Sequence, residues 1–356
     1  MFFEMATERE SAVNAAEPSR GDVFAMSVTH TLSNPRSLLA KAFARDWPLA
    51  FTGTLMLVTL LAALVGLVVD HRVITGAPAW MKPAKFAISI AIYCFTFIWL
   101  LSKIEGKRRA VRLVSAFTAI ALSIEMVAIV IQVLRGTTSH FNVSTPVDTI
   151  IYRAMAFSIV IVWLACFVTA VLMTRQRLAD PAFAWSLRIG VALSLVGMAV
   201  AFLMTMPTSA QLAAEHASQT MPIAGAHSVG VPDGGPGIPI LGWSTVGGDL
   251  RPAHFFGLHA LQLMPLFGWF LSRRRTQLST AARKALVAWV GLAYLGIIVI
   301  LTWQALRSQP LIHPDSKTLA AIVVLLSGVA LATLATMHLT RSRRMLITTG
   351  DTSLTS

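Results

Sequence analysis

From residue 48 onward, long apolar runs alternate with short polar and mostly basic segments. Eight runs stand out, at about 48–69, 83–102, 111–134, 148–173, 184–206, 253–272, 284–304 and 318–340. Each holds about 20 residues or more, which at 1.5 Å of rise per residue crosses a hydrocarbon core about 30 Å thick. The pattern predicts an all-α fold, a polytopic membrane helix bundle of about eight transmembrane helices. Residues 1–46 read as a polar, disordered cytoplasmic tail and 47–341 as the transmembrane domain with a long outer loop at 207–252. Residues 342–356 read as a second cytoplasmic tail. Inside the loop, 208–221 (TSAQLAAEHASQTM) has the composition of a short interfacial helix.

Composition sharpens this picture. Of 356 residues, 55% are hydrophobic and 13% charged, with a mean hydropathy of +0.69; soluble domains carry about twice that charged share. The formal charge of +13 does not point to a nucleic-acid partner, because the basic residues sit at the ends of the apolar runs instead of forming one patch. Arg36, Lys41 and Arg45 precede the first run, and Lys103, Lys107, Arg108, Arg109 and Arg112 follow the second. Arg175 and Arg177 follow the fourth; Arg273, Arg274, Arg275, Arg283 and Lys284 follow the sixth; Arg341, Arg343 and Arg344 follow the eighth. Positive charge flanks the cytoplasmic ends of spans, so both termini are expected in the cytoplasm of a bacterial inner membrane. No apolar signal region precedes the first span, which is expected to serve as its own anchor. Cys94 and Cys166 lie inside spans without a CxxC spacing and read as small packing residues.

Two strings recur about 170 residues apart at matching places. KPAKF (82–86) and RPAHF (251–255) open spans 2 and 6, while QVLR (132–135) and QALR (304–307) close spans 3 and 7. His140 and His313 follow in the next outer loops. Spans 1–4 and 5–8 then form a parallel repeat of two four-helix halves, unless the matches are coincidences of basic and aromatic flanks.

The candidate chemistry lies in polar groups inside the spans, each costly unless it faces protein or water. Span 3 carries Thr118, Glu125 and Gln132 on one face, continued by Arg135 at its outer end. Span 2 carries Lys82, Lys85, Ser89, Tyr93 and Thr96 at spacings of three and four. Span 4 opens with Asp148, Tyr152 and Arg153, and span 6 with Asp249, Arg251, His254, His259 and Gln262. His140 and Asn142 stand in the loop between spans 3 and 4. The strongly polar groups among them lie in the outer halves of their spans. They predict either a water-accessible, ligand-binding cavity with Lys82, Lys85, Arg135, Arg153 and Arg251 at its rim and Glu125 at its floor, or an internal network that pairs Arg153 with Asp148 and Lys85 with Glu125.

A haem or metal ion is a further candidate, with His140, His254 and His259 as its weak ligand set. His254 and His259 stand about 140° apart around a helix, a poor chelating pair. The loop string GAHSVGVPDGGPGIPILGWSTVGGDLRP (225–252) is either flexible or a folded lid with positive φ at its glycines. Its DGGPG run lacks the GK[ST] ending of a phosphate loop.

The strings WMKPAKF (80–86), RGTTSHFN (135–142), DGGPGIPILGWS (233–244) and GDLRPAHFFGLHALQLMP (248–265) together resemble a family of uncharacterised bacterial multi-spanning membrane proteins. The resemblance covers spans 2 to 6 and implies a shared fold; it transfers no activity, catalytic residue or cofactor. Three functions are compatible with these residues: binding or transport of a small solute in the outer cavity; a membrane-embedded haem or metal enzyme using the outer histidines; and a structural subunit of an envelope complex docking through its loops.

Overall fold

The computed structural model describes residues 35–217, 220–273 and 278–352. The chain divides into two compact units, Met1–Trp47 and Pro48–Ser356. The described part of the first is helix α1, Pro35–Arg45. A disordered tail was expected here; instead Pro35 opens the helix at the position proline favours, and the Leu, Ala, Lys and Arg that follow are good helix formers. Residues 1–34 of that expected tail lie outside the described residues.

The second unit begins with α2 (Trp47–Val69), then the two-residue strands β1 (Val73–Ile74) and β2 (Ala77–Pro78), paired antiparallel. Helices α3 (Met81–Leu101), α4 (Arg108–Leu134), α5 (Pro146–Thr174) and α6 (Pro181–Met204) follow. After α6 come the short α7 (Ser209–His216), strands β3 (Ser228–Val229) and β4 (Gly248–Asp249), and helices α8 (Arg251–Ser272), α9 (Thr280–Leu306) and α10 (Ser316–Thr352). Among the described residues, eight helices are long and apolar enough to cross a membrane, so the chain is a multi-pass membrane protein with an all-α bundle. Within the stretch 208–221, where a short interfacial helix was expected, α7 is helical over Ser209–His216. The expected C-terminal tail is helical as far as Thr352, as a continuation of α10.

Local sequence sets the helix starts. Thr145 caps α5 by accepting a hydrogen bond from the Asp148 amide, Asp180 caps α6 through the Ala182 amide, and Pro146 and Pro181 fill the first helical turn. Burial then separates the helices. In α4, 56% of the apolar window lies inside the protein, against 6% in α10, which leaves α10 a largely exposed apolar surface.

The tightest packing joins α6 to α8. A methyl placed on Gly197 would lie 2.5 Å from the Gly257 Cα, and one on Gly257 would lie 2.3 Å from the Gly197 Cα. Two and three turns away, Gly190 faces the Ala260 carbonyl and Gly268 faces the Ser186 hydroxyl. Small residues let membrane helices touch backbone to backbone, where dispersion replaces the missing hydrophobic drive.

The ends of α4 and α9 are built alike. Gln132 Nε2 donates to the Thr138 carbonyl at 3.4 Å, and Gln304 Nε2 donates to the Pro310 carbonyl at 2.7 Å. Arg135 then pairs with Asp148 at 3.2 Å, and Arg307 with Asp315 at 2.6 Å. Each Gln-x-x-Arg thus turns the chain and ties it to the start of the next helix, which gives the sequence recurrence a structural counterpart. The halves differ where chemistry is concerned: His313 is exposed, whereas His140 is turned inward.

Residues 205–217 and 220–250 cover the end of the bundle where α2, α4, α6 and α9 finish, called the loop face below. The Ala226 amide donates to Met204, the Val143 amide to Pro222, and a methyl on Gly248 would strike the Ala305 carbonyl. At the β1–β2 turn, Gly76 has φ +71° and a Cβ there would lie 2.1 Å from the Gly234 carbonyl oxygen. Only glycine serves there, for conformation and for space. At the opposite end, Arg283 of α9 makes a 2.6 Å ion pair with Asp180, which also accepts from Ser272 of α8.

Candidate functional site

Acidic residues shape the 225–250 lid. Asp233 accepts hydrogen bonds from the His227 amide (3.0 Å), the Ser228 amide (2.8 Å) and His227 Nδ1 (2.6 Å). This closes the 227–233 turn on itself. Strands β3 and β4 pair Ser228 with Asp249, and the Asp249 carboxylate accepts from the Ser244 amide (2.8 Å) and from Arg251 Nε (2.9 Å). Two cations then hold the lid's outer hairpin by its carbonyls: Arg251 Nη2 donates to Gly242 (2.6 Å) and Lys85 Nζ to Leu241 (3.0 Å).

Beneath the lid, five segments bring ionisable groups together. Thr118, Glu125 and Gln132 form the predicted face of α4, and all three are buried. Glu125 Oε1 lies 3.2 Å from His140 Nε2, close enough to pair but not aligned as a hydrogen bond, so neither carboxylate oxygen has a hydrogen-bond partner. His140 sits in the α4–α5 connection among Phe86, Phe141 and His227, with ring centroids 5.6, 6.0 and 6.2 Å away. His254 Nδ1 lies 2.8 Å from the Gly197 carbonyl, which can only accept; Nδ1 therefore carries the proton, and the neutral ring offers the Nε2 lone pair. The α6–α8 glycine contact thus fixes the orientation of His254. Lys82, at the start of α3, is within electrostatic reach of Glu125 and Asp233 and makes no hydrogen bond to the described residues.

Exposure differs across the cluster. The side chains of His227, Asp233 and His140 are 23%, 22% and 19% accessible, and that of Glu125 is 1% accessible. Burial pushes the His227 imidazole down to about 4, with Lys82 adding to the effect, against the pull of Asp233. Burial works to raise the Asp233 carboxyl, but the His227 ring and the two backbone amides outweigh it and hold Asp233 well below the usual carboxylate range. His140 is also lowered, chiefly by burial and by Lys82. Near pH 7, then, His227 is neutral, gives its Nδ1 proton to Asp233 and leaves Nε2 as an acceptor.

Other predicted site residues serve the architecture. Asp148 accepts from Gln132 Nε2 at 2.8 Å and pairs with Arg135. Asn142 donates to Thr137 and Thr138, accepts from Ser144, and bridges to Ile223. The expected Arg153–Asp148 pair is not formed. Arg153 is exposed, because five residues place it about 140° around α5 from Asp148, and Arg135 at the α4 terminus takes the partner. The expected Lys85–Glu125 pair is also absent, since Lys85 holds the lid. His259 stacks edge-on against Phe255 with centroids 4.3 Å apart, and Gln262 donates to Thr96 at 3.3 Å; both stand apart from the cluster. Tyr93 is buried with its hydroxyl unpartnered. Of the five cations expected at the rim, Lys85, Arg135 and Arg251 are engaged, whereas Lys82 and the exposed Arg153 make no hydrogen bond or ion pair to the described residues. Among the described residues no three His, Cys, Asp or Glu side chains form a group that could hold a metal ion.

His227 and Asp233 were not singled out from the sequence. A histidine and an aspartate six apart, inside a glycine-rich string able to fold back on itself, are the signal that could have found them. No protein-family model matches the chain, and no match was found among curated proteins or solved structures.

Proposed function

We propose that this membrane protein binds a small acidic solute under the 225–250 lid, as the recognition step of a transporter or receptor. The observation that carries the reading is Lys82: a half-buried lysine with no hydrogen bond to the described residues, within electrostatic reach of His140 and His227. An ammonium in such a site is a ready anchor for a carboxylate or phosphate. His227 Nε2 and His254 Nε2 are acceptors, so the matching solute also carries a hydroxyl or amine donor. The basic flanks of the opposite ends support a recess that opens to the outer side of a bacterial inner membrane. The string resemblance to other multi-spanning bacterial proteins supports a fold shared with them.

The test is calorimetric titration of the protein in lipid nanodiscs with lactate, glutamate, succinate, phosphate and sulfate. At least one anion binds, and Lys82→Met weakens it tenfold or more, about 1.4 kcal/mol. Absence of binding across the panel, or binding indifferent to Lys82→Met, overturns the proposal.

A further inference from the structure

At the end of the bundle opposite the lid, the fold engages some basic side chains and leaves others unpaired. Arg283 pairs with Asp180, and Arg188 donates to the Met173 and Gln176 carbonyls. Lys103, Lys284 and Arg273 lie over the rings of Trp99, Trp185 and Trp269. By contrast, Lys107, Arg108, Arg109 and Arg112, at the start of α4, are exposed. Their side chains make no hydrogen bond or ion pair to the described residues.

The α5–α6 connection brings further charge to the same place. Gln176 Oε1 accepts a hydrogen bond from the Glu105 amide at 3.0 Å, which ties this connection, with the exposed Arg175 and Arg177, to the segment before α4. Glu105 is the one acidic residue between 101 and 112. Six cations thus gather around a single exposed carboxylate, and like charges held together favour an anion between them.

Two features select the anion. An open recess of about 380 Å³ is lined by Gly106, Lys107, Arg108, Arg109, Ala110 and Leu113. A Cβ on Gly106 would meet nothing within 4 Å, so the recess has room for a phosphoglycerol head group. The recess also runs into an apolar stripe of α4. Arg109, Leu113 and Phe117 are spaced by four, Ile120 and Ile124 continue the same face, and all four apolar side chains are exposed. Leu113 to Ile124 covers about 16 Å along the helix, about the hydrocarbon depth of one leaflet. A soluble anion would use the cations alone; a phospholipid uses the cations and the stripe.

We propose that the start of α4, together with the α5–α6 connection, binds one anionic phospholipid. The guanidinium groups hold its phosphate, for which their planar donor pairs are suited, and the Leu113–Ile124 face carries an acyl chain. This site lies at the far end of the bundle from the lid and does not depend on the solute reading.

The experiment is native mass spectrometry of the full-length protein in detergent, titrated with phosphatidylglycerol, phosphatidylcholine and glycerol phosphate. Phosphatidylglycerol should bind about tenfold or more tighter than either of the others. Changing Lys107→Gln, Arg108→Gln and Arg109→Gln together should reduce its binding to the level of phosphatidylcholine. Arg153→Gln, which removes an exposed cation elsewhere, should leave it unchanged. Phosphatidylglycerol with a photoactivatable head group should cross-link the unaltered protein within 105–113 and 175–178, a readout independent of how the triple variant folds. Equal binding of the two lipids, cross-links confined to other segments, or binding that survives the triple change in a normally folded variant overturns the proposal. Glycerol phosphate binding as tightly as phosphatidylglycerol overturns the lipid as occupant.

Discussion

Replacing Asp233 with Asn should loosen the lid without disturbing the bundle. The carboxylate accepts three hydrogen bonds, at 2.6, 2.8 and 3.0 Å, within one turn. Hydrogen bonds to a charged acceptor contribute about 1.5–3 kcal/mol each, and neutral ones about 0.5–1.5 kcal/mol. The amide keeps one acceptor oxygen, turns the other position into a donor, and loses the charge. Discounted for the 22% accessibility of the side chain, the local cost is about 2 kcal/mol, or about thirtyfold in the opening equilibrium.

Hydrogen–deuterium exchange of nanodisc-embedded protein reads that equilibrium directly. Amides 227–234 should exchange about thirtyfold faster in Asp233→Asn, while those of α6 and α8 keep their protection. Acid should act in the same direction. The folded His227 ring titrates at about 4, below its ordinary value near 6.5, so the opened lid binds more protons between those values. Lid stability is complete above about pH 6.5 and falls as pH drops toward 4; the depressed Asp233 carboxyl adds to the loss below its unfolded value near 4. After correction for intrinsic exchange rates, opening should therefore increase from pH 7 to pH 5. Unchanged exchange in Asp233→Asn, or equal acceleration in all helices, would refute the assignment of these bonds to the lid.

Further perturbations test the frame. Gly257→Val should cost about 1–3 kcal/mol by forcing α6 and α8 apart, read as a lower thermal midpoint in detergent. The same change should displace His254 and weaken anion binding. Arg283→Met leaves Asp180 buried without its partner and should cost about 3–5 kcal/mol, measured by the same thermal assay. Arg153→Ala should change neither the midpoint nor anion binding, because Arg153 is exposed and remote from Asp148.

The membrane architecture was legible because helix length and apolar content are local properties. Thr118, Glu125 and Gln132 were placed on one buried face for the same reason: a spacing of seven needs only helical geometry. Polar partners were less legible. Arg135 and Arg153 are equally basic, and which one meets Asp148 depends on how the α4–α5 connection folds. Lys85 and Lys82 lie three residues apart on α3, yet one holds a lid carbonyl and the other faces the carboxylates, a division made by chain about 150 residues away. His259 had the credentials of His254, but only the latter sits where a carbonyl on α6 comes within reach.

The most direct test is an electron cryo-microscopy map of the protein in nanodiscs with the tightest-binding anion of the panel. The account predicts density for that anion within hydrogen-bond distance of Lys82 Nζ, roofed by the 227–233 turn and bordered by His140 and His254. Anion density elsewhere on the protein, or a Lys82 ammonium engaged by Glu125 while the anion is bound, would contradict it.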